Sequence, residues 1–418
     1  MPTSTGTAVL LAAASIGACG APACKDELPA FEGGEPMQVA ATPAPLMWAA
    51  QYRGEPTHRG VAAPGTSIGR APIRVWKSDA LAKGAYSASK SSPAVDEMSV
   101  YVGVDDGKLY ALSREDGSVR WSFVARRHRW ESHYRLWDKK GIHGTPAVDE
   151  GRVYVGDYDG WLYAVDKRTG ALVWEAKLGD AIGASPVLAG GQIFISVEYR
   201  GPEGRVWVLR ADTGARVWAS PGLGDNPHGS VSIDAERGLL FVGANSEELF
   251  CFDVKARRGR WRYDTGGEIK STPAVGPDLV YITSWDHRLH AVDIETGDCV
   301  FEVETGGPVQ SSPSLYDGRV FFGSGDGTVY AVDARTGRHL WTFEAGAAID
   351  ASPTVLPADG ALVIGARNRT VFLLALAGGA ELWRTTLDGD FTSVPVAVGS
   401  SLLLNDDKGT VWRFDRRP

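Results

Sequence analysis

The sequence predicts an all-β fold, an eight-bladed β-propeller of four-stranded antiparallel blades. Three observations carry that prediction. A block of about 40 residues recurs seven times and begins an eighth, a period that belongs to stacked or radial units. Each block is a run of short strands with β-branched and aromatic residues between Gly/Asp turns. The two ends of the repeat region are complementary fragments of one block.

The block opens on Ser/Thr-Pro and a short apolar strand. It continues through an acidic or glycine turn to Val/Leu-Tyr-Ala-Val-Asp, then Thr-Gly, and closes on Val/Leu-Trp. Thr145–Trp174 and Ser312–Trp341 are its clearest copies. The closing aromatics are Trp121, Trp174, Trp218, Trp261, Phe301, Trp341 and Trp383, spaced by 53, 44, 43, 40, 40 and 42 residues. The long first spacing marks an insertion at 125–142. Four strands fit in each block, joined by tight turns such as Asp159-Gly160 and Thr336-Gly337. Radial repetition of such sheets makes a propeller.

The blade count comes from the ends. After Trp383 the chain supplies three strands, at 393–398, 401–405 and 410–415, and no fourth. Upstream of the first block lies an unmatched strand, 72–77, carrying its own Trp76. Pairing it with the truncated last block completes an eighth blade and removes two exposed sheet edges.

The pattern Ala-x-Asp-x-x-Thr-Gly-x-x-x-Trp is intact at Ala164–Trp174 and Ala331–Trp341. It resembles the tryptophan-docking motif of the pyrroloquinoline quinone (PQQ)-type propellers, and the resemblance runs over residues 70–418. It implies a structural role for Trp76 and the seven closing aromatics, each burying a large flat side chain between neighbouring sheets. Two functional classes share that scaffold, and the fold does not separate them. Quinoprotein dehydrogenases hold PQQ and Ca²⁺ at the mouth of the ring. Non-catalytic propellers include the lipoprotein subunit of the outer-membrane β-barrel assembly machinery.

Composition narrows the partners. The chain has 418 residues, 43 Lys+Arg against 51 Asp+Glu and a formal net charge of −8, which disfavours nucleic acid. No apolar run is long enough to span a bilayer. Residues 7–18 form a short apolar stretch ending at Cys19, and Ile16-Gly-Ala-Cys19 resembles a lipobox, so residues 1–24 read as an export leader with lipidation at Cys19. Met1–Gly6 lacks the usual basic residue, and a bland N-terminus is the alternative. Residues 25–69 read as a disordered tether and lead-in. Four cysteines occur. Cys251 and Cys299 are expected as two separate thiols, a disulfide between them being the alternative.

In a propeller, the loop leading into each innermost strand and the loop joining strands two and three open on one face. The first set is Lys90, His143, Gly183, His228, Lys270, Gln310, Asp350 and Phe391. The second is Asp105, Asp157, Glu198-Tyr199, Asn245, Trp285-Asp286, Ser324, Arg367 and Asn405. The ligand-binding candidates at this funnel are therefore Lys90, His143, Glu198, Tyr199, His228, Asn245, Lys270, Trp285 and Asp286. Solvated polar turns, free to vary, would produce a similar diversity.

Under the dehydrogenase resemblance, Glu198 and Asn245 fall where that family has calcium ligands, and His228 where it stacks a tryptophan on the quinone. Lys270-Ser-Thr-Pro273 replaces the segment that would carry the catalytic aspartate, and there is no adjacent cysteine pair. Without a positioned base, an acid–base contribution of ~10²–10⁴ is missing unless Asp286 supplies it. The insertion interleaves basic residues with Trp130, Tyr134 and Trp137 and reads as a cap or partner-binding loop. The expectation is thus a non-catalytic exported propeller in the periplasm or at the outer membrane. It has no catalytic residues and no cofactor, touches the membrane only through a lipid anchor, and binds a protein partner, with a small ligand at the funnel as a further option. The alternative is a PQQ- and Ca²⁺-dependent dehydrogenase.

Overall fold

The computed structural model describes residues 51–82, 91–125, 141–201 and 203–418, together with the backbone of Ile16–Gly17. Its strands form eight antiparallel sheets around a central axis. The first blade, with strands Ala94–Val95, Ser99–Val104, Lys108–Ser113 and Val119–Val124, shows the logic of all of them. The innermost strand is two residues long and built of small side chains, because strands converge near the axis. Strands two and three carry the buried apolar residues, and the fourth exposes Val119 and Val124 to solvent. Packing between blades is apolar: each core cluster joins the faces of two neighbouring sheets, as Phe194 and Val208 of blade three join Leu240 and Phe252 of blade four.

The ring closes as the sequence requires. Ile73–Lys77 pairs with Val411–Asp415, Ile73 opposite Asp415 and Lys77 opposite Trp412, and completes the eighth blade. Blade five gains an addition: Ile16–Gly17 lies antiparallel on the outer edge of Cys299–Glu304, with Ile16 opposite Val303. The other residues of the proposed leader, Cys19 included, lie outside the described residues. Cys251 is a buried free thiol, whereas Cys299 is disulfide-bonded to a partner outside the described residues. The expectation of two separate thiols is therefore corrected at Cys299, and the alternative Cys251–Cys299 bridge does not form.

The Ser/Thr-Pro step has a specific role. The amide of each Ser or Thr donates to the hydroxyl of its counterpart one blade on, and the hydroxyls line up around the axis. Ser92 donates to Thr145 (3.0 Å), Thr145 to Ser185 (2.9 Å), Ser185 to Ser230 (3.0 Å) and Ser230 to Thr272 (3.0 Å). Thr272 then donates to Ser312 (2.9 Å) and Ser312 to Ser352 (2.9 Å). Val394 of blade eight donates to Ser92 (2.8 Å) and so joins the last blade to the first. Among the described residues only the step from Ser352 to blade eight lacks its acceptor, because Val394 has no hydroxyl.

The docking aromatics act at the outer rim. The indoles of Trp76, Trp121, Trp174, Trp261 and Trp341 each donate to a backbone carbonyl of the next blade, at 2.9–3.1 Å. Their rings lie on the glycine of the next Thr-Gly turn, or its equivalent. At Gly170 (φ +73°) an added Cβ would stand 2.6 Å from Trp121 Cε3. Phe301 packs on Gly337 in the same way but has no N–H. At that junction Tyr281 donates its hydroxyl to the equivalent carbonyl, Ala334 O, at 2.7 Å. Trp218 is fully packed between blades three and four, and Trp383 meets Phe414 edge-on at 5.3 Å.

Residues 51–69 correct the tether expectation. Gln51–Ser67 form a strap inside the channel, at the end away from the mouth. The strap carbonyls of Pro56, Thr57, Arg59 and Gly60 accept from Ile233, Val275, Leu315 and Val355 of blades four to seven. Arg53 reaches Pro313 O (2.6 Å) and Ser314 Oγ (2.7 Å), and His58 Nδ1 lies 3.1 Å from Ser232 Oγ. Burial, reinforced by the nearby Arg53 charge, pushes the His58 imidazole down to about 3.

Two outcomes follow. Val394→Thr places a hydroxyl before the unbonded Ser352 amide, and chemical denaturation is expected to show a gain of about 1 kcal/mol; a loss would mean the hydroxyl cannot reach that amide. His58 is neutral when folded and ionises more readily when unfolded. Its contribution to stability is complete above pH 6.5 and is lost as pH falls toward 3, on the order of 3 kcal/mol by pH 4. Stability curves of the protein and of His58→Gln between pH 7 and 4 should diverge by that amount, the variant being the flatter.

Candidate functional site

The up-and-down topology brings the loops between strands two and three, and those leading into each innermost strand, to one face. Around blades one to four the side chains there form one continuous polar cluster. His143 Nε2 lies 2.7 Å from Asp105 Oδ1, and its ring packs against Tyr158 at 4.1 Å between centroids. Glu198 Oε1 lies 3.2 Å from His228 Nδ1. Gly183 makes the junction: a Cβ there would stand 3.0 Å from both Glu198 Oε1 and the Tyr158 hydroxyl. The glycine at that ring position lets the carboxylate and the phenol converge. Burial, and then the charges of Glu198 and Asp105, push the Tyr158 phenol up.

A second group continues over blades four and five. Lys270 Nζ is 2.6 Å from Glu268 Oε2 and 3.3 Å from Asn245 Oδ1, and it sits over the Trp285 ring at 4.6 Å. Trp285 is 42% exposed and so offers aromatic surface to a partner. Arg367 pairs with Asp350 on the far side of the ring.

The remaining candidates fall elsewhere. Lys90 lies outside the described residues, as do residues 126–140 of the insertion. Ala125 and Ile142 are core residues of the blades, so the insertion proper is shorter than 125–142. Tyr199 bridges blades, donating to Leu178 O and accepting from Trp207 Nε1, both at 2.8 Å. Asp286 is corrected: its carboxylate does not face the funnel but turns into its own blade. There it receives Arg288 N (3.0 Å) and meets His290 Nε2 (3.1 Å), a histidine held between Asp286 and Glu302 and only 1% exposed. Asp157 staples its hairpin in the same way, through Asp159 N, Trp161 N and Tyr163 OH, with burial pushing its carboxyl up to about 6. Phe391 is also corrected. It packs on Gly365 as Ile349 packs on Gly323, which leaves Thr392 at the ring position.

The residues sequence reasoning missed are Tyr158 and Glu268. Each lies one or two positions from a residue that was singled out, so the alignment located the loop but not the side chain that converges.

The calcium–quinone arrangement can be tested on these groups. An ammonium at Asn245 Oδ1 repels a dication, and the Glu198 carboxylate is already engaged by His228. Among the described residues no group of three or more His, Cys, Asp or Glu side chains could hold a metal ion. His228, where a stacking ring is required, is turned onto Glu198. The residues as placed do not fit calcium-bound PQQ.

Comparison with known proteins places the scaffold. The family model described as Outer membrane protein assembly factor BamB matches residues 70–141, 124–264, 202–325, 260–358 and 325–417. BamB of Alkalilimnicola ehrlichii is 30% identical over 211 residues, 48% of this chain and 50% of that protein. Polyvinylalcohol dehydrogenase of Sphingopyxis is 26% identical over 156 residues, 31% of this chain and 23% of that protein. The matches thus span half or less of these relatives' lengths. The crystal structure of BamB from Moraxella catarrhalis superposes with a TM-score of 0.62 at 19% identity, covering 82% of this chain and 96% of that one, a likeness of fold.

One outcome tests the reassignment of Asp286. Burial alone would lower the His290 pKa, but Asp286 and Glu302 outweigh it and the net direction is up. Asp286→Asn should therefore lower the His290 pKa in an NMR titration while leaving the His143 and His228 resonances in place; movement of those two would return Asp286 to the mouth.

Proposed function

Because the chain belongs to the family described as Outer membrane protein assembly factor BamB, we propose that it is a non-catalytic propeller of the bacterial envelope that binds a protein partner. The observation that carries this reading is that the polar side chains of the mouth are held by one another. Asp105 is engaged by His143, Glu198 by His228, Glu268 by Lys270 and Asp350 by Arg367. A general base needs a carboxylate or imidazole within reach of a substrate proton. A recognition face needs fixed charges of both signs around an aromatic anchor, and Trp285 beneath Lys270 is such an anchor. Export and a lipid anchor at Cys19 belong to the same reading.

A dehydrogenase is the second reading, favoured by the similarity to polyvinylalcohol dehydrogenase. One assay separates the two. Purified protein with PQQ, Ca²⁺, a redox dye and a panel of alcohols and sugars should show neither turnover nor heat of quinone binding. Turnover abolished by Glu198→Ala would establish the enzyme instead. On the favoured reading, Lys270→Ala combined with Trp285→Ala should fold normally and weaken copurification of an envelope partner at least tenfold in quantitative mass spectrometry. Unchanged copurification would remove the mouth as the recognition face.

A further inference from the structure

The end of the channel opposite the mouth holds a cavity of about 1600 Å³, bounded by the strap, by the turns joining strands one and two, and by Val148, Leu188, Val396 and Ala397. Its wall carries a repeated donor. In each blade the innermost strand is a sheet edge facing the axis, and alternate amides point away from the blade's own hairpin. In blade one Asp96 N donates to Ser99 O (3.1 Å), so Val95 opposite Val100 is the pair without ladder bonds, and the Val95 amide turns to the axis. Asp149 N donating to Arg152 O (3.0 Å) places the Val148 amide likewise. Ala397 opposite Leu402 repeats the register of Val355 opposite Leu362.

The strap satisfies this donor in five consecutive blades. Leu188 N donates to Gln51 Oε1, and Ile233, Val275, Leu315 and Val355 donate to strap carbonyls, at 2.8–3.0 Å throughout. The equivalent amides of blades eight, one and two, those of Ala397, Val95 and Val148, have no hydrogen-bond partner among the described residues. All three residues are buried, at 5%, 0% and 3% exposure. An open edge amide facing the channel is a donor that an added strand can take up, and three in adjacent blades form a ladder that a further chain can complete.

We propose that this sector of the channel binds an extended, apolar peptide segment of a partner protein, which continues the strap's ladder onto Ala397, Val95 and Val148. The strap itself is the template. Five of its residues, Pro56–Gly60, serve four blades, so about four residues reach the three free donors. The occupant's side chains are set by the wall. Under the strap, Ser232 and Ser314 meet His58 and Arg53. In the open sector the same strand position is Val396, which lines the cavity, and Ala94 and Ala147, which are enclosed in the inter-blade core. No polar side chain is presented at this position, and small apolar side chains such as Val, Ala and Pro are suited to it. This site is independent of the mouth and of any function assigned there.

The test uses the full-length protein and a fluorescent acetylated pentapeptide, Gly-Val-Ala-Ala-Pro amide, which copies residues 60–64. Saturable binding by fluorescence anisotropy is expected, together with slowed amide exchange at 94–96, 147–149 and 396–398. Ala397→Pro and Val148→Pro each delete a donor that makes no ladder bond, on an edge strand where proline is tolerated. Each should weaken binding about fivefold to tenfold. Absence of saturable binding overturns the proposal, including the case in which another part of this chain already fills the sector. So does unchanged affinity in the variants, or protection confined to the mouth loops. If a proline variant fails to fold, the exchange pattern of the unsubstituted protein decides alone.

Discussion

Eight sheets converging on one axis present a problem that apolar packing does not solve. The innermost strands are too short and too crowded to bury much surface, yet their backbone groups are shut away from water. The circle of Ser and Thr residues resolves it. All but Ser352 pass an amide to the blade ahead, and every one offers a hydroxyl to the blade behind, so Ser and Thr hydroxyls close seven of the eight junctions among the described residues. Ser and Thr can do this because a small hydroxyl acceptor stands close to the residue's own backbone N–H, so one residue accepts from one neighbour and donates to the other. The proline that usually follows removes a donor that would otherwise need an acceptor in the same confined space.

The outer rim is held on a different principle. There the sheets have diverged, and a large flat side chain is needed to span the gap. Trp lies on the glycine of the next blade's turn and spends its single N–H on a carbonyl of the same turn. The junction at Phe301 shows that the two parts separate: the ring keeps the packing, while Tyr281 supplies the missing donor from a neighbouring strand. Both contacts recur because the local geometry does.

Between hub and rim, the two ends of the channel have different characters. At the mouth, polar side chains hold one another, Asp105 with His143 and Glu198 with His228 across junctions and Glu268 with Lys270 and Asp350 with Arg367 within one loop or blade, and Trp285 is left exposed. At the opposite end the strap lies against the inner strands, filling donors in blades three to seven and leaving those of blades eight, one and two without a partner among the described residues. The first end offers charges of both signs, and the second offers backbone.

The period, the strand order within a blade, the blade count and the pairing of the strand at Trp76 with the last strand of the chain were all legible in the residues alone. These follow from local alternation, turn chemistry and the need to close a sheet edge, all of which repeat and therefore show in one chain. The repeats also located the mouth loops, down to His143, Glu198, His228, Asn245 and Lys270. Only the tertiary structure decided which side chains in those loops meet. Tyr158 converges on Glu198 because Gly183 leaves room, and Asp286 turns away because His290 waits inside its own blade. The strap escaped the sequence for a related reason. Residues 51–69 have no periodicity of their own and take their order from donors presented by five different blades, an arrangement that exists only once the ring has closed.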